Sequence, residues 1–157
     1  PLRKKFIKYH QYATAGINDI VPAQKLKTAK TLDLTELHHV VYLSDGAGKY
    51  VKKRLPNDVQ VSRIFSVNRL ALRGMDTAYL LTGNFYPWRT QWGQNDAGYG
   101  SLIQIKSNTL ISLSNIETGL YIDGDVRQTA VISSSDNGRL IITAKNNGKV
   151  QVLKIRE

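Results

Sequence analysis

Residues 129–155 read TAVISSSDNGRLIITAKNNGKVQVLKI. Three apolar or alternating runs, TAVISS, RLIITA and KVQVLKI, are separated by SDNG and KNNG, and Asn-Gly between such runs is a strong hairpin signal. The stretch predicts three consecutive antiparallel strands. The same texture extends back to Leu37: HHVVYL (38–43) and YVKKRLP (50–56) flank the Gly-rich turn SDGAGK, VQVSRIFSV (59–67) alternates, AYLLTG (78–83) suits a buried strand, and SLIQIKS with TLISLS forms a pair around Ser107-Asn108. No good helix signal occurs after Leu37. The body is expected to be all-β and antiparallel.

Two internal matches define the architecture. YLLTGN (79–84) and LIITAKNN (140–147) both run from apolar residues into a Gly/Asn turn, while VVYLSDGAGKYV (40–51) and LIQIKSNTLI (102–111) share strand, polar turn and strand. With an intervening aromatic loop set aside, the units recur at about 47 residues, the spacing of four-stranded propeller blades. The fold expected is mainly β, with antiparallel β-propeller-like blades, about two plus a fragment, preceded by two short N-terminal helices.

The first helix is expected over residues 2–20. Leu2, Phe6, Tyr9, Ala13, Ile17 and Ile20 fall at three- and four-residue spacings, with Lys4, Lys5 and Lys8 opposite and Gly16 weakening the middle. The second begins at Pro22 and runs through Ala23, Leu26 and Ala29. The expected division is a helical segment, 1–36, and a blade region, 37–157, with the whole expected to be one compact unit excised from a larger protein.

The composition is that of a globular protein: 157 residues, 41% hydrophobic, 22% charged and no cysteine, which excludes disulfides and thiolate chemistry. The net charge of +10 is concentrated in the N-terminal third. Lys4, Lys5 and Lys8 define a polyanion or nucleic-acid reading, but such a patch calls for arginines and stacking aromatics as well, and the solvated side of a docked helix accounts for them more simply. No run reaches the roughly 18 apolar residues of a membrane span, and no signal-peptide pattern is present.

The candidate binding element is the loop 84–100 within TGNFYPWRTQWGQNDAGYGSL (82–102), which contains both tryptophans. Tyr86, Trp88, Arg89, Trp92 and Tyr99 offer flat amphipathic surfaces for a glycan or a protein partner; alternatively the rings pin the loop to the blade beneath. Phe85 reads as core. His38 and His39 point to opposite faces of a strand and do not suit one metal ion. Asp123 and Asp125 are the one close carboxylate pair, read either as a weak cation or acid–base site or as an Asp-Gly turn with one carboxylate capping amides and the other paired with Arg127. Asp136-Asn137-Gly138 and Asn146-Asn147-Gly148 read as turns. No nucleophile elbow, phosphate loop, dinucleotide fingerprint or zinc-protease motif is present, and no catalytic residue or enzyme activity is expected.

The stretches RKKFIKYHQYA (3–13), YLSDGAGKYVKKRLP (42–56), LLTGNFY (80–86), NDAGYGSLI (95–103), GLYIDGDVR (119–127) and IITAKNNGKVQVLK (141–154) resemble the C-terminal part of the FG-GAP/VCBS-repeat proteins of Bacteroidetes, β-propellers related to the cartilage acidic protein (ASPIC/UnbV) group. The resemblance implies a β-propeller, export, a cell-surface or secreted location, a binding role without a known reaction, and further blades N-terminal to this chain. Blades left incomplete have open strand edges, which predicts self-association or a covering element. Family blades commonly carry an Asp-rich calcium loop. The corresponding stretch here, VNRLALRGMDTA (67–78), keeps only Asn68 and Asp76 as side-chain oxygens and holds two arginines, so neither calcium nor another cofactor is expected.

Overall fold

The computed structural model describes residues 2–136 and 138–156, without the side chains of Arg3 and Asp76. The protein is mainly β, and its chain divides into two compact units between Leu37 and His38. Among the described residues no helix is long and apolar enough to cross a membrane.

The N-terminal unit holds α1 (Leu2–Lys5), α2 (Tyr9–Ala13), α3 (Ile17–Ile20) and α4 (Ala23–Lys27). The helix expected over 2–20 is thus three short turns. Lys8 takes an extended backbone and caps α2, and Gly16 caps α3, with its N–H donating to Asp19 at 2.9 Å. Short helices are marginal without a surface to pack on, and Ile7 and Tyr9 are largely exposed, so the apolar residues never act as one face. Lys4 and Lys5 lie on α1, and with Lys8 all three are solvent-exposed. Pro22 precedes α4 as its cap rather than opening its first turn.

The second unit contains three antiparallel sheets: β1 (Val40–Ser44) with β2 (Tyr50–Arg54); β3 (Ile64–Leu72), β4 (Met75–Gly83), β5 (Ser101–Lys106) and β6 (Thr109–Leu113) as a four-stranded meander; and β7 (Val126–Ser134), β8 (Gly138–Lys145) and β9 (Gln151–Lys154). Two expectations shift. Residues 57–59 form a 3-10 turn, so the strand read at 59–67 starts only at Ile64. One helical turn, α5 (Asn115–Thr118), is capped reciprocally by Ser114 and Glu117. The stretch 67–78, where the resemblance leads one to expect a calcium loop, is the β3–β4 hairpin, turning at Arg73-Gly74. Asn68 there donates to Ser66 Oγ, while the Asp76 side chain lies outside the described residues, as does Asn137 of the turn at 136–138.

The sheets repeat in detail. Ile64 opposes Gly83 as Val126 opposes Lys145, and a register shift follows each pair, before Ser66 and before Gln128. Ala78 opposes Gln104 as Leu140 opposes Lys154. Asn84 N–H donates to Arg63 O at 2.9 Å, and Asn146 N–H donates to Asp125 O at 2.8 Å. One bulged hairpin plan is therefore used twice. Alternation sends Leu70, Ala78, Leu80 and Leu102 to one side of the meander, where they bury Ile122, Val126 and Ile141. Leu81 and Ile103 point the other way, into a second cluster with Val59, Leu55 and Leu110. Among the described residues no sheet closes on itself.

Candidate functional site

The two repeated hairpins leave their second strands at Asn84 and Asn146. In the β7–β9 sheet the chain returns at once to β9, whereas in the meander the residues between β4 and β5 form the aromatic loop.

Asn84 fixes the base of this loop. It is buried with φ of +83°, a left-handed conformation that asparagine tolerates better than most residues. Its Nδ2 donates to Gly98 O at 2.8 Å and Gly124 O at 3.0 Å, and its Oδ1 accepts from Gly98 N at 3.0 Å and Ser62 Oγ at 2.6 Å. Asn95 closes the excursion, with reciprocal backbone bonds to Phe85 at 2.8 and 3.1 Å, and its Oδ1 accepts from Arg63 N and shares the one Ser62 hydroxyl proton with Asn84 Oδ1. Gly98 is required because a Cβ there would lie 2.9 Å from Asn84 Oδ1. The loop is thus an ordered platform.

Its surface has two ends. At one, the rings of Phe65, Phe85, Trp88 and Trp92 follow one another at centroid separations of 6.1, 5.9 and 5.8 Å. Trp88 and Trp92 are 38% and 65% exposed, so this row faces solvent. Guanidiniums sit against it: Arg63 is 4.5 Å from the Phe85 centroid and 4.8 Å from Trp88, Arg89 is 5.4 Å from Trp92, and Arg127 is 4.5 Å from Phe65 and 5.2 Å from Phe85. Phe85, read as core, is half-buried and serves as the floor of this row.

At the other end Tyr99 stacks on Tyr121 at 5.2 Å. Tyr86, half-buried, feels this end: burial foremost, then the charges of Asp96, Asp123 and Asp125, raise its phenol above the ordinary value of 10.0. The five residues singled out in sequence therefore separate, Trp88, Arg89 and Trp92 in the arginine–aromatic row and Tyr99 in a tyrosine stack beside acidic groups. Arg63 and Phe65, read only as part of the alternating run 59–67, and Arg127, read only as a partner for an aspartate, are additions to the row.

Asp123 and Asp125 follow the turn reading in part. Asp125 is fully buried and its Oδ2 accepts from Arg127 at 2.9 Å and Asn146 Nδ2 at 3.0 Å. Asp123 meets Lys145 Nζ at 2.6 Å, and this bond lowers its carboxyl below 3.8. Each aspartate thus takes a different cation. Among the described residues no three His, Asp or Glu side chains gather as a metal-binding group. His39 Nε2 instead bonds Ser62 O at 2.8 Å.

No protein-family model, curated protein or solved structure matches the chain.

Proposed function

We propose that this chain is a non-catalytic binding module built from β-propeller-like blades, of the FG-GAP/VCBS type, acting at the cell surface or outside the cell. Its ligand, a glycan or a protein, is taken by the loop between β4 and β5. The observation that carries this reading is the solvent-facing pair Trp88 and Trp92 on a loop anchored by the Asn84 and Asn95 hydrogen bonds. Aromatic side chains held rigidly in solvent lose little conformational freedom on binding, which favours them as contact residues. The test is tryptophan fluorescence of the whole chain titrated with a panel of oligosaccharides and proteins. Trp88→Ala and Trp92→Ala are expected to weaken the saturable binding by about tenfold each, the scale of 1.4 kcal/mol. Unchanged affinity in both variants refutes the loop as the site.

A second reading, an architectural segment that builds a larger assembly, is favoured by the free sides of the β sheets. Ala130, Ile142 and Val152 oppose one another across β7, β8 and β9, and Ile132 and Val152 are 42% and 55% exposed. This face holds the positions that, in the repeat, correspond to the meander face covered by β7–β9. A groove of about 630 Å³ between the two sheets, walled by Leu70, Leu102, Leu120, Leu153 and Ile155, lies beside the unpaired edge of β9. Concentration-dependent self-association in sedimentation velocity, abolished by Val152→Lys, supports it; a monomer at all concentrations counts against it.

A further inference from the structure

We infer that the ligand of the Trp88–Trp92 platform is an anionic glycan, one whose sugar rings stack on the tryptophans while its acidic groups, carboxylate or sulfate, engage Arg63 and Arg89. The inference rests on the binding-module reading above and specifies its ligand class. The three arginines of the row differ in what they already hold. Arg127 is committed to Asp125 at 2.9 Å, whereas Arg63 and Arg89 have no carboxylate partner among the described residues. Arg63 is nonetheless fixed in place, lying close to the centroids of both Phe85 and Trp88. A guanidinium resting on ring faces keeps N–H donors for an incoming acid and is oriented before the ligand arrives, so less freedom is lost on binding. Alternating stacking surfaces and unpaired guanidiniums match a polymer of sugar faces and acids better than a neutral one.

At the other end of the loop Asp96 lies near Tyr86, while Asp123 is already paired with Lys145 at 2.6 Å, so it is the guanidiniums of Arg63 and Arg89 at the tryptophan end that draw an acidic group. The same feature separates a glycan from single-stranded nucleic acid, which needs a continuous basic track along successive phosphates. Here the basic strip is short and stops at carboxylates.

The experiment is fluorescence titration of the full chain with oligogalacturonate, a neutral galacto-oligosaccharide of similar length, a sulfated galacto-oligosaccharide and oligo(dT), at two salt concentrations. Oligogalacturonate or the sulfated sugar is expected to bind about tenfold or more tighter than the neutral one, the tighter of the two identifying the acid. Arg63→Gln and Arg89→Gln are each expected to reduce that preference about tenfold, with Arg63→Lys intermediate because it keeps the charge and loses the planar fork. Equal binding of neutral and acidic sugars, tighter binding of oligo(dT), or silence towards every probe overturns the proposal. A parent chain with no preference for acidic sugars, in which Trp88→Ala still weakens neutral-sugar binding, refutes only the anionic class. Indifference to Trp88→Ala and Trp92→Ala refutes the site itself. Far-UV circular dichroism of each variant, compared with the parent, confirms that the blades are folded.

Discussion

Replacing Asn84 separates the two things it does, because its side chain bonds the loop and its backbone occupies a left-handed conformation. Asn84→Gly removes four hydrogen bonds, two donated to Gly98 O and Gly124 O and two accepted from Gly98 N and Ser62 Oγ, and relieves the backbone. At about 1 kcal/mol net per bond the loss is about 4 kcal/mol, reduced where water enters to satisfy the freed groups. Asn84→Ala loses the same bonds and adds roughly 1 kcal/mol for a Cβ at positive φ. Urea unfolding, followed by tryptophan fluorescence and far-UV circular dichroism, measures both. The expected order is parent, then Gly, then Ala, and in the parent the two probes are expected to coincide because the bond from Asn84 to Gly124 ties the loop to the segment leading into β7. A loss below about 1 kcal/mol in Asn84→Gly with an unchanged denaturant slope refutes Asn84 as the anchor. Glycine less stable than alanine refutes the backbone argument.

Further measurements test the contacts around it. Ser66 Oγ accepts from the buried Thr129 N–H at 3.0 Å, bridging the two repeated hairpins, and Ser66→Ala is expected to cost about 1–3 kcal/mol in unfolding free energy by stranding that donor. Gly83→Ala places a Cβ 1.7 Å from the Arg63 carbonyl oxygen, a clash with backbone that is expected to displace the start of β3 and lower the melting temperature by several degrees or more. The raised phenol of Tyr86 means the native state holds its proton more tightly than the unfolded chain. Its contribution to stability is complete below pH 10 and lost as pH rises through the higher native value. Ring-carbon NMR titration is expected to place the Tyr86 transition above pH 10.0, and Asp96→Asn to bring it down only partway, since burial is the larger cause.

The strands were legible wherever turn chemistry and alternation agreed. Asn146-Asn147-Gly148 and Ser107-Asn108 sit at strand ends with left-handed residues at Ser107, Asn108 and Asn147, and the hairpins beside them follow the sequence reading. Alternation alone misled at 59–61, where Pro56 caps a 3-10 turn and Val59 fills the core without being in a strand. The long helix failed for a different reason: spacing marks a face, but a face becomes a helix only when something covers it. Ser114 and Glu117 did carry a helix signal, a capping box too short to stand out from the strands around it. The loop's aromatic content pointed to a site, yet its internal organisation did not follow from composition. Asn84 reaches partners 14 and 40 residues away, and Arg63 meets Phe85 and Trp88 only because the β3–β4 register brings the ends of both strands together. Such pairings depend on tertiary contacts that local patterns do not encode.

The Phe85–Asn95 bridge means that residues 86–94 leave and rejoin the blade at a single point. Strand register is set outside this junction, and closing a longer flexible loop across it adds only about 0.6 kcal/mol for each doubling of length. The segment therefore behaves as an exchangeable cassette on a constant frame. Segments of different length and character placed between Phe85 and Asn95 are expected to leave the hydrophobic clusters as they are, since loops of this kind tolerate change better than the strands they join.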